Sequence, residues 1–165
     1  MLSKPGFGVY GLSSLVFLLD QAAKFWFERD YTVRVIIPGF LGIRPLYNPN
    51  LVFGLWRIPW LGLLSLLISV IVITLTWRIW RRQISVTGSF PGGGIALGLL
   101  WGGIAGNLVD RLLLGQVFDF IQLWKIPVFN LADTALTAGA VIFLSGLLFS
   151  RPGSRPARPE VNHVP

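Results

Sequence analysis

Gly102-Gly103-Ile104-Ala105-Gly106-Asn107-Leu108-Val109-Asp110-Arg111 ends a membrane-length apolar run in polar side chains. Glycines at 94, 98, 102 and 106 recur at every fourth position and form one small-residue ridge. Such a ridge predicts a helix from about Gly92 to Leu112 that another helix can approach closely. Asn107, Asp110 and Arg111 fall on one face of that helix. Ionisable groups beside a membrane-length apolar run are costly, so they are candidates for function by default.

Downstream, Val117-Phe118-Asp119-Phe120 and Phe129-Asn130-Leu131-Ala132-Asp133 add further polar groups in a very apolar context. The segment from Gly115 to Phe129 is expected to be a short connection in the membrane interface. A further helix follows from Leu131 to Phe149, with Asn130 and Asp133 on one face near its start. Asn and Asp at that position also suit helix capping. Beyond Phe149 the chain is basic and proline-rich, so residues 151–165 are expected to be a disordered tail; the single histidine, His163, lies there.

Upstream, an apolar run from Phe7 to Phe27 is interrupted by Asp20 and Lys24. These share a helix face and can neutralise each other, either as a membrane-edge pair or in support of a polar site. Phe25-Trp26-Phe27 continues the run, which argues for a retained helix over a cleaved leader. Thr32-Val33-Arg34-Val35-Ile36-Ile37, the turn pair Pro38-Gly39 and a return through Phe40 to Leu46 predict a small sheet on one membrane face. Another helix is expected from Ile58 to Trp77, bracketed by Trp56 and Trp60 at one end and by Trp77 and Trp80 at the other, as in an interfacial aromatic belt. Arg78, Arg81 and Arg82 follow it.

Composition agrees with a membrane protein. Of 165 residues, 53% are hydrophobic and 13% charged, against about 25% charged in a soluble domain. Mean hydropathy is +0.68. The fold expected is therefore an all-α polytopic membrane protein, four transmembrane helices with a small sheet on one membrane face, in one domain over 1–150. The net charge of +7 does not imply nucleic acid, because the basic residues flank apolar runs and suit lipid head groups. Basic residues divide almost evenly between the two sides. The short middle loop and the tail are the more densely basic, which places both termini in the cytoplasm.

The chemistry narrows by elimination. The chain has no cysteine, which removes disulfides, thiolate metal sites and cysteine nucleophiles. His163 is too remote for a triad, and no histidine or cysteine ligands are available for a metal. Ser13 and Ser14 stand about 15 Å from Lys24 along one helix, out of reach of a Ser–Lys pair. Residue types then leave three readings open: caps and interfacial ion pairs, carboxylate catalysis, or ion and proton handling. Hydrolysis by two carboxyls needs one as general base and one as acid. Asp119 and Asp133 flank a connection that can fold back and bring them together.

Leu19-Asp20-Gln21-Ala22-Ala23-Lys24, Gly102-Gly103 with Gly106-Asn107-Leu108-Val109-Asp110-Arg111, Val117-Phe118-Asp119-Phe120-Ile121 and Phe129-Asn130-Leu131-Ala132-Asp133 resemble, in order and spacing, the motif series of lipoprotein signal peptidase (signal peptidase II). The resemblance covers residues 7–149. It implies a multi-pass aspartic endopeptidase of the bacterial cytoplasmic (inner) membrane, which removes signal peptides from diacylglyceryl-modified prolipoproteins at the outer face. It implies Asp119 and Asp133 as the catalytic pair, Asn48, Asn107, Arg111 and Asn130 as substrate-binding residues, and Asp20, Lys24 and Asp110 as structural support. No metal and no organic cofactor are expected; the partners expected are prolipoprotein substrates and membrane lipids, with the enzyme a monomer. The sheet is implied to be the family's small extracytoplasmic β-cradle, at about 31–56, and Gly115 to Pro127 to hold a flap-like or interfacial element. One motif departs. Where the family has Asn-x-Gly-Ala-Ala-Phe, this chain has Asn48-Pro49-Asn50-Leu51-Val52-Phe53, and the larger Leu51 and Val52 are expected to narrow a pocket. A paralogue that binds lipoprotein precursors or other membrane helices without cutting them, or with altered specificity, is the alternative.

Overall fold

The computed structural model describes residues 6–49, 60–87, 90 and 92–149. The Asn50-Leu51-Val52 departure, Trp56, the end of the expected cradle and the basic tail lie outside the described residues. The elements are α1 (Phe7–Glu28), β1 (Arg34–Ile37), β2 (Leu41–Asn48), α2 (Leu61–Thr87), α3 (Gly93–Leu114), β3 (Val117–Leu123) and α4 (Leu131–Phe149).

Three of these helices are long and apolar enough to cross a membrane, at Leu63–Ser85, Gly93–Leu114 and Leu131–Phe149. The helix carrying Asp20 and Lys24, α1, is not among them, although it has 22 residues. The second helix runs on through Arg78, Arg81 and Arg82 to Thr87, well past the expected end at Trp77. Arginine is a good helix former, so the backbone ladder outlasts the apolar run. Trp80, expected in the belt, is turned inward instead. It packs with Val9, Phe90, Ala96, Leu97, Leu100 and Phe143 in the main apolar core.

The ridge on α3 seats α1. A Cβ at Gly98 would lie 2.8 Å from Leu12, one at Gly102 2.7 Å from the Ser13 carbonyl oxygen and from Val16, and one at Gly106 2.6 Å from Asp20 Oδ2. Gly103, next round the helix, meets α4, where a Cβ would lie 2.6 Å from the carbonyl oxygen of Ala132. Two neighbours thus press on adjacent faces of α3, each at near backbone contact. Gly102→Val is accordingly expected to cost about 1–3 kcal/mol, the range for overpacking. The check is a lowered Tm of the purified protein in detergent.

The sheet is three-stranded and antiparallel, in the order β1-β2-β3. The β1–β2 hairpin turns at Pro38-Gly39, with Gly39 at φ 71°, a conformation glycine adopts without a Cβ penalty. The third strand comes from the connection between α3 and α4, where the sequence suggested only an interfacial link. Gly115, at φ 67°, ends α3 in the left-handed conformation typical after a helix C-terminus. The chain then pairs with β2, Leu46 opposite Asp119 and Asn48 opposite Val117. The pairing shifts register between Ile43 and Leu46, across Pro45, which has no N–H to give the ladder. Phe120 stacks on Phe27 at 4.5 Å, and Phe118 meets Tyr47 edge-on at 5.2 Å. The first pair fastens β3 to the end of α1, and the second fastens it to β2.

Candidate active site

After β3 the chain reverses, and Ile121 and Phe129 exchange backbone hydrogen bonds of 2.8 and 3.0 Å. That reversal delivers Asn130 beside Asp119 and starts α4. Asn130 caps the helix: its Oδ1 accepts the Asp133 N–H at 2.9 Å, and Asp133 Oδ2 accepts the Asn130 N–H at 3.3 Å. This is the reciprocal pattern of a capping box, with Asn and Asp in place of Ser and Glu. Asp20 Oδ1, from α1, accepts the next free N–H of that turn, Ala132, at 2.8 Å. The expected caps are therefore present, and the capping residues are the site residues themselves.

The same Asn130 side chain reaches Asp119. Its Nδ2 donates to Asp119 Oδ1 at 2.8 Å and to Asn107 Oδ1 at 3.0 Å. Asn107 Nδ2 in turn donates to Asp133 Oδ1 at 2.7 Å. The two carboxylates are thus linked through two amides, with every oxygen named so far accepting from an N–H. Asn48, diagonal to Asp119 across the β2–β3 ladder, donates from Nδ2 to Asp119 Oδ2 at 3.0 Å. Asp119 and Asn130 are fully enclosed, at 2% and 0% exposure. Burial pushes the Asp119 carboxyl up to about 7, the Asn48 and Asn130 amides pull it down, and the neighbouring Asp133 charge pushes it up again. Loss of solvation penalises the ionised form more than those hydrogen bonds favour it.

Beneath this layer lies a second one. Lys24 Nζ is 2.7 Å from Asp20 Oδ2 and 2.8 Å from Asp110 Oδ2, and it donates to Asn107 Oδ1 at 3.3 Å. Gln21 Nε2 donates to Asp110 Oδ1 at 3.1 Å and to the Gly106 carbonyl at 3.3 Å. Asp110 Oδ2 also accepts the Phe118 N–H at 3.3 Å. One ammonium thereby joins α1 to α3, and its two carboxylate partners hold the starts of α4 and β3. Through Asn107 Oδ1, Lys24 and Asn130 together settle which end of the Asn107 amide faces Asp133.

Two spaces open from the polar cluster. A groove of about 660 Å³, mostly apolar, is lined by Asp133 with Ile126, Phe129, Thr134, Leu136, Thr137 and Ala138. A cavity of about 250 Å³ lies where Asn107 and Arg111 of α3 face Ser65 and Ser69 of α2, with Leu136 of α4 completing it.

The family model for Signal peptidase (SPase) II matches residues 12–149. The chain belongs to the signal peptidase II family. Among curated relatives, the lipoprotein signal peptidase of Pseudomonas aeruginosa (strain PAO1) is 34% identical over 150 residues, covering 85% of this chain and 87% of its own. That of Pseudomonas fluorescens (strain Pf0-1) is 33% identical over 154 residues, covering 85% and 86%. A solved structure described as a bacterial membrane enzyme superposes with a TM-score of 0.72 at 25% identity, covering 90% of this chain and 92% of that one. With three apolar helices of spanning length, this member of the signal peptidase II family is an integral membrane protein.

The matched span contains every polar contact described above. Asp119, Asp133, Asn48, Asn107 and Asn130 meet in one network, and Asp20, Lys24 and Asp110 lie directly behind it. Arg111 lines the cavity next to Asn107, close enough for its charge to act on Asp133 and Asp119. Two residues were not singled out from the sequence. Gln21, a neutral residue beside Asp20, ties Asp110 to α1. Ser65 is the other, although Ser65 and Ser69 at i and i+4 are polar breaks in an apolar helix, which is a visible signal.

Proposed function

We propose that this chain is an aspartic endopeptidase, a single peptidase domain that removes signal peptides from diacylglyceryl-modified prolipoproteins at the outer face of the bacterial cytoplasmic membrane. The observation that carries the reading is Asn130, whose one side chain holds Asp119 and caps the helix bearing Asp133. Asp119, neutral over much of the range below about pH 7, serves as the acid; Asp133, held by donors at both oxygens, serves as the base. Water attacks the scissile carbonyl carbon as Asp133 takes its proton, and Asp119 gives its proton to the carbonyl oxygen. The tetrahedral intermediate then collapses, returning the oxygen's proton to Asp119, while Asp133 protonates the leaving amine. Asn48, Asn107, Arg111 and Asn130 hold the substrate backbone, and Asp20, Lys24 and Asp110 keep the pair in place.

The arrangement of polar and basic ends supports the orientation read from the charges. The polar groups gather at one end of the helices, at the C-terminal ends of α1 and α3 and the start of α4. The opposite end carries Arg78, Arg81 and Arg82, and basic flanks stay in the cytoplasm. Gathering at one end also disfavours proton handling, which needs carboxylates at several depths. The first helix spans the bilayer as well, because the α3 ridge seats it from Leu12 to Asp20 and its outward residues Leu15, Leu18 and Leu19 are apolar.

The direct test is incubation of the purified protein with a diacylglyceryl-modified prolipoprotein. The expected product begins at the lipid-bearing cysteine, and absence of cleavage overturns the reading in favour of a binding-only paralogue. A second test is the pH profile. If protonated Asp119 is the acid, kcat/KM falls as pH rises through about 7. The Asn48 donor favours the ionised carboxylate and so lowers that pKa. Asn48→Ala is therefore expected to move the alkaline limb to higher pH, and an unmoved limb removes Asp119 from the acid role.

A further inference from the structure

We propose that Ser65 of α2 is a substrate-binding residue, donating its hydroxyl to a backbone carbonyl of the unwound signal peptide in the cavity between α2, α3 and α4. The inference rests on the peptidase reading and extends it to a helix with no residue in the site. Ser65 is 4% exposed, and its Oγ has no hydrogen-bond partner among the described residues. A buried hydroxyl without a partner is costly in the resting protein. Its neighbour Ser69 is different: Ser69 Oγ already donates to the Ser65 carbonyl at 2.7 Å. Both line the cavity of about 250 Å³ whose far wall holds Asn107 and Arg111, and Asn107 contacts Asp133 directly.

The substrate supplies the missing acceptor. A helix in lipid satisfies all its backbone groups internally. Cutting it requires opening a turn around the scissile bond, which frees carbonyl oxygens in surroundings with little water. Each freed carbonyl needs a donor from the enzyme. Ser65 offers one on the α2 side, opposite the polar wall of α3. The remaining lining, Ile68, Val72, Ile104 and Leu136, suits an apolar peptide.

The test separates binding from folding and from cleavage. Without substrate, Ser65→Ala is expected to melt no lower than the wild type, because the hydroxyl it removes has no partner to lose. In the Asp119→Asn background, Ser65→Ala is expected to weaken binding of a synthetic diacylglyceryl-cysteine signal peptide in detergent micelles about tenfold, the order of one hydrogen bond. Ser65→Thr, which keeps the hydroxyl, restores the affinity, and Ser69→Ala leaves it unchanged. In the active protein the Ser65→Ala loss appears in KM more than in kcat. Equal affinity for Ser65→Ala and its parent overturns the proposal, as does an equal loss in Ser69→Ala or no rescue by Thr. Failure of the wild type to cleave overturns the peptidase reading alone, since the affinity comparison decides Ser65 without turnover.

Discussion

Asp119→Asn and Asp133→Asn are each expected to lower turnover of a diacylglyceryl prolipoprotein by about a thousandfold or more, with the protein still folded. General acid–base catalysis by a positioned group contributes about 10²–10⁴-fold, and neither amide can exchange the proton that the reaction requires. Because the two groups act in one transition state, the double variant is expected to be no slower than the worse single one. The two differ in stability. Asp133 also caps α4 through Oδ2 and lies in its first turn, where a negative charge is favourable, so its loss costs about 0.5–1 kcal/mol. Asp119 has its pKa raised in the fold, from 3.8 to about 7. The neutral form's advantage is complete below the unfolded value and lost as pH rises through the folded one. The wild-type Tm is thus expected to decline across that window, and the Asp119→Asn decline to be smaller. Substantial turnover in either single variant would remove the pair from catalysis.

Lys24→Met is expected to be the most destabilising single change at the site, costing about 3–5 kcal/mol, the range for deleting one partner of a buried ion pair. The ammonium, 6% exposed, faces Asp20 at 0% and Asp110 at 5%. Without it, two buried carboxylates confront each other across Gln21, and the starts of β3 and α4 lose a common anchor. Thermal unfolding in detergent measures the cost. Adding Asp110→Asn to Lys24→Met is expected to recover part of it, because one of the two stranded charges is removed while the Phe118 N–H keeps an oxygen to bond. A double variant as unstable as the sum of the single ones would show that the charges do not interact.

Much of the architecture was legible along the chain. The helices follow from apolar runs of bilayer length, because a backbone in lipid must satisfy its hydrogen bonds within its own segment. The Pro38-Gly39 hairpin and the α3 ridge are also local patterns: a turn needs two residues, and a ridge needs one helical period. The end of α2 is not legible in this way, since hydropathy marks where lipid contact stops and not where the ladder of hydrogen bonds stops. Trp80 shows the same limit, because belt and core tryptophans look alike in sequence.

What the sequence determined by itself is the set of apolar helices, the polar residues gathered near their ends and the family to which their order and spacing belong. Only the tertiary structure decided how those residues meet. The strand Val117–Leu123 forms because β2 offers it an edge, and that pairing places Asn48 beside Asp119. Asn130 serves both as a helix cap and as the bridge between two aspartates, and Ser65 lines a cavity made by three helices. These relations join residues far apart in the chain, through hydrogen bonds whose partners depend on packing rather than on any local period.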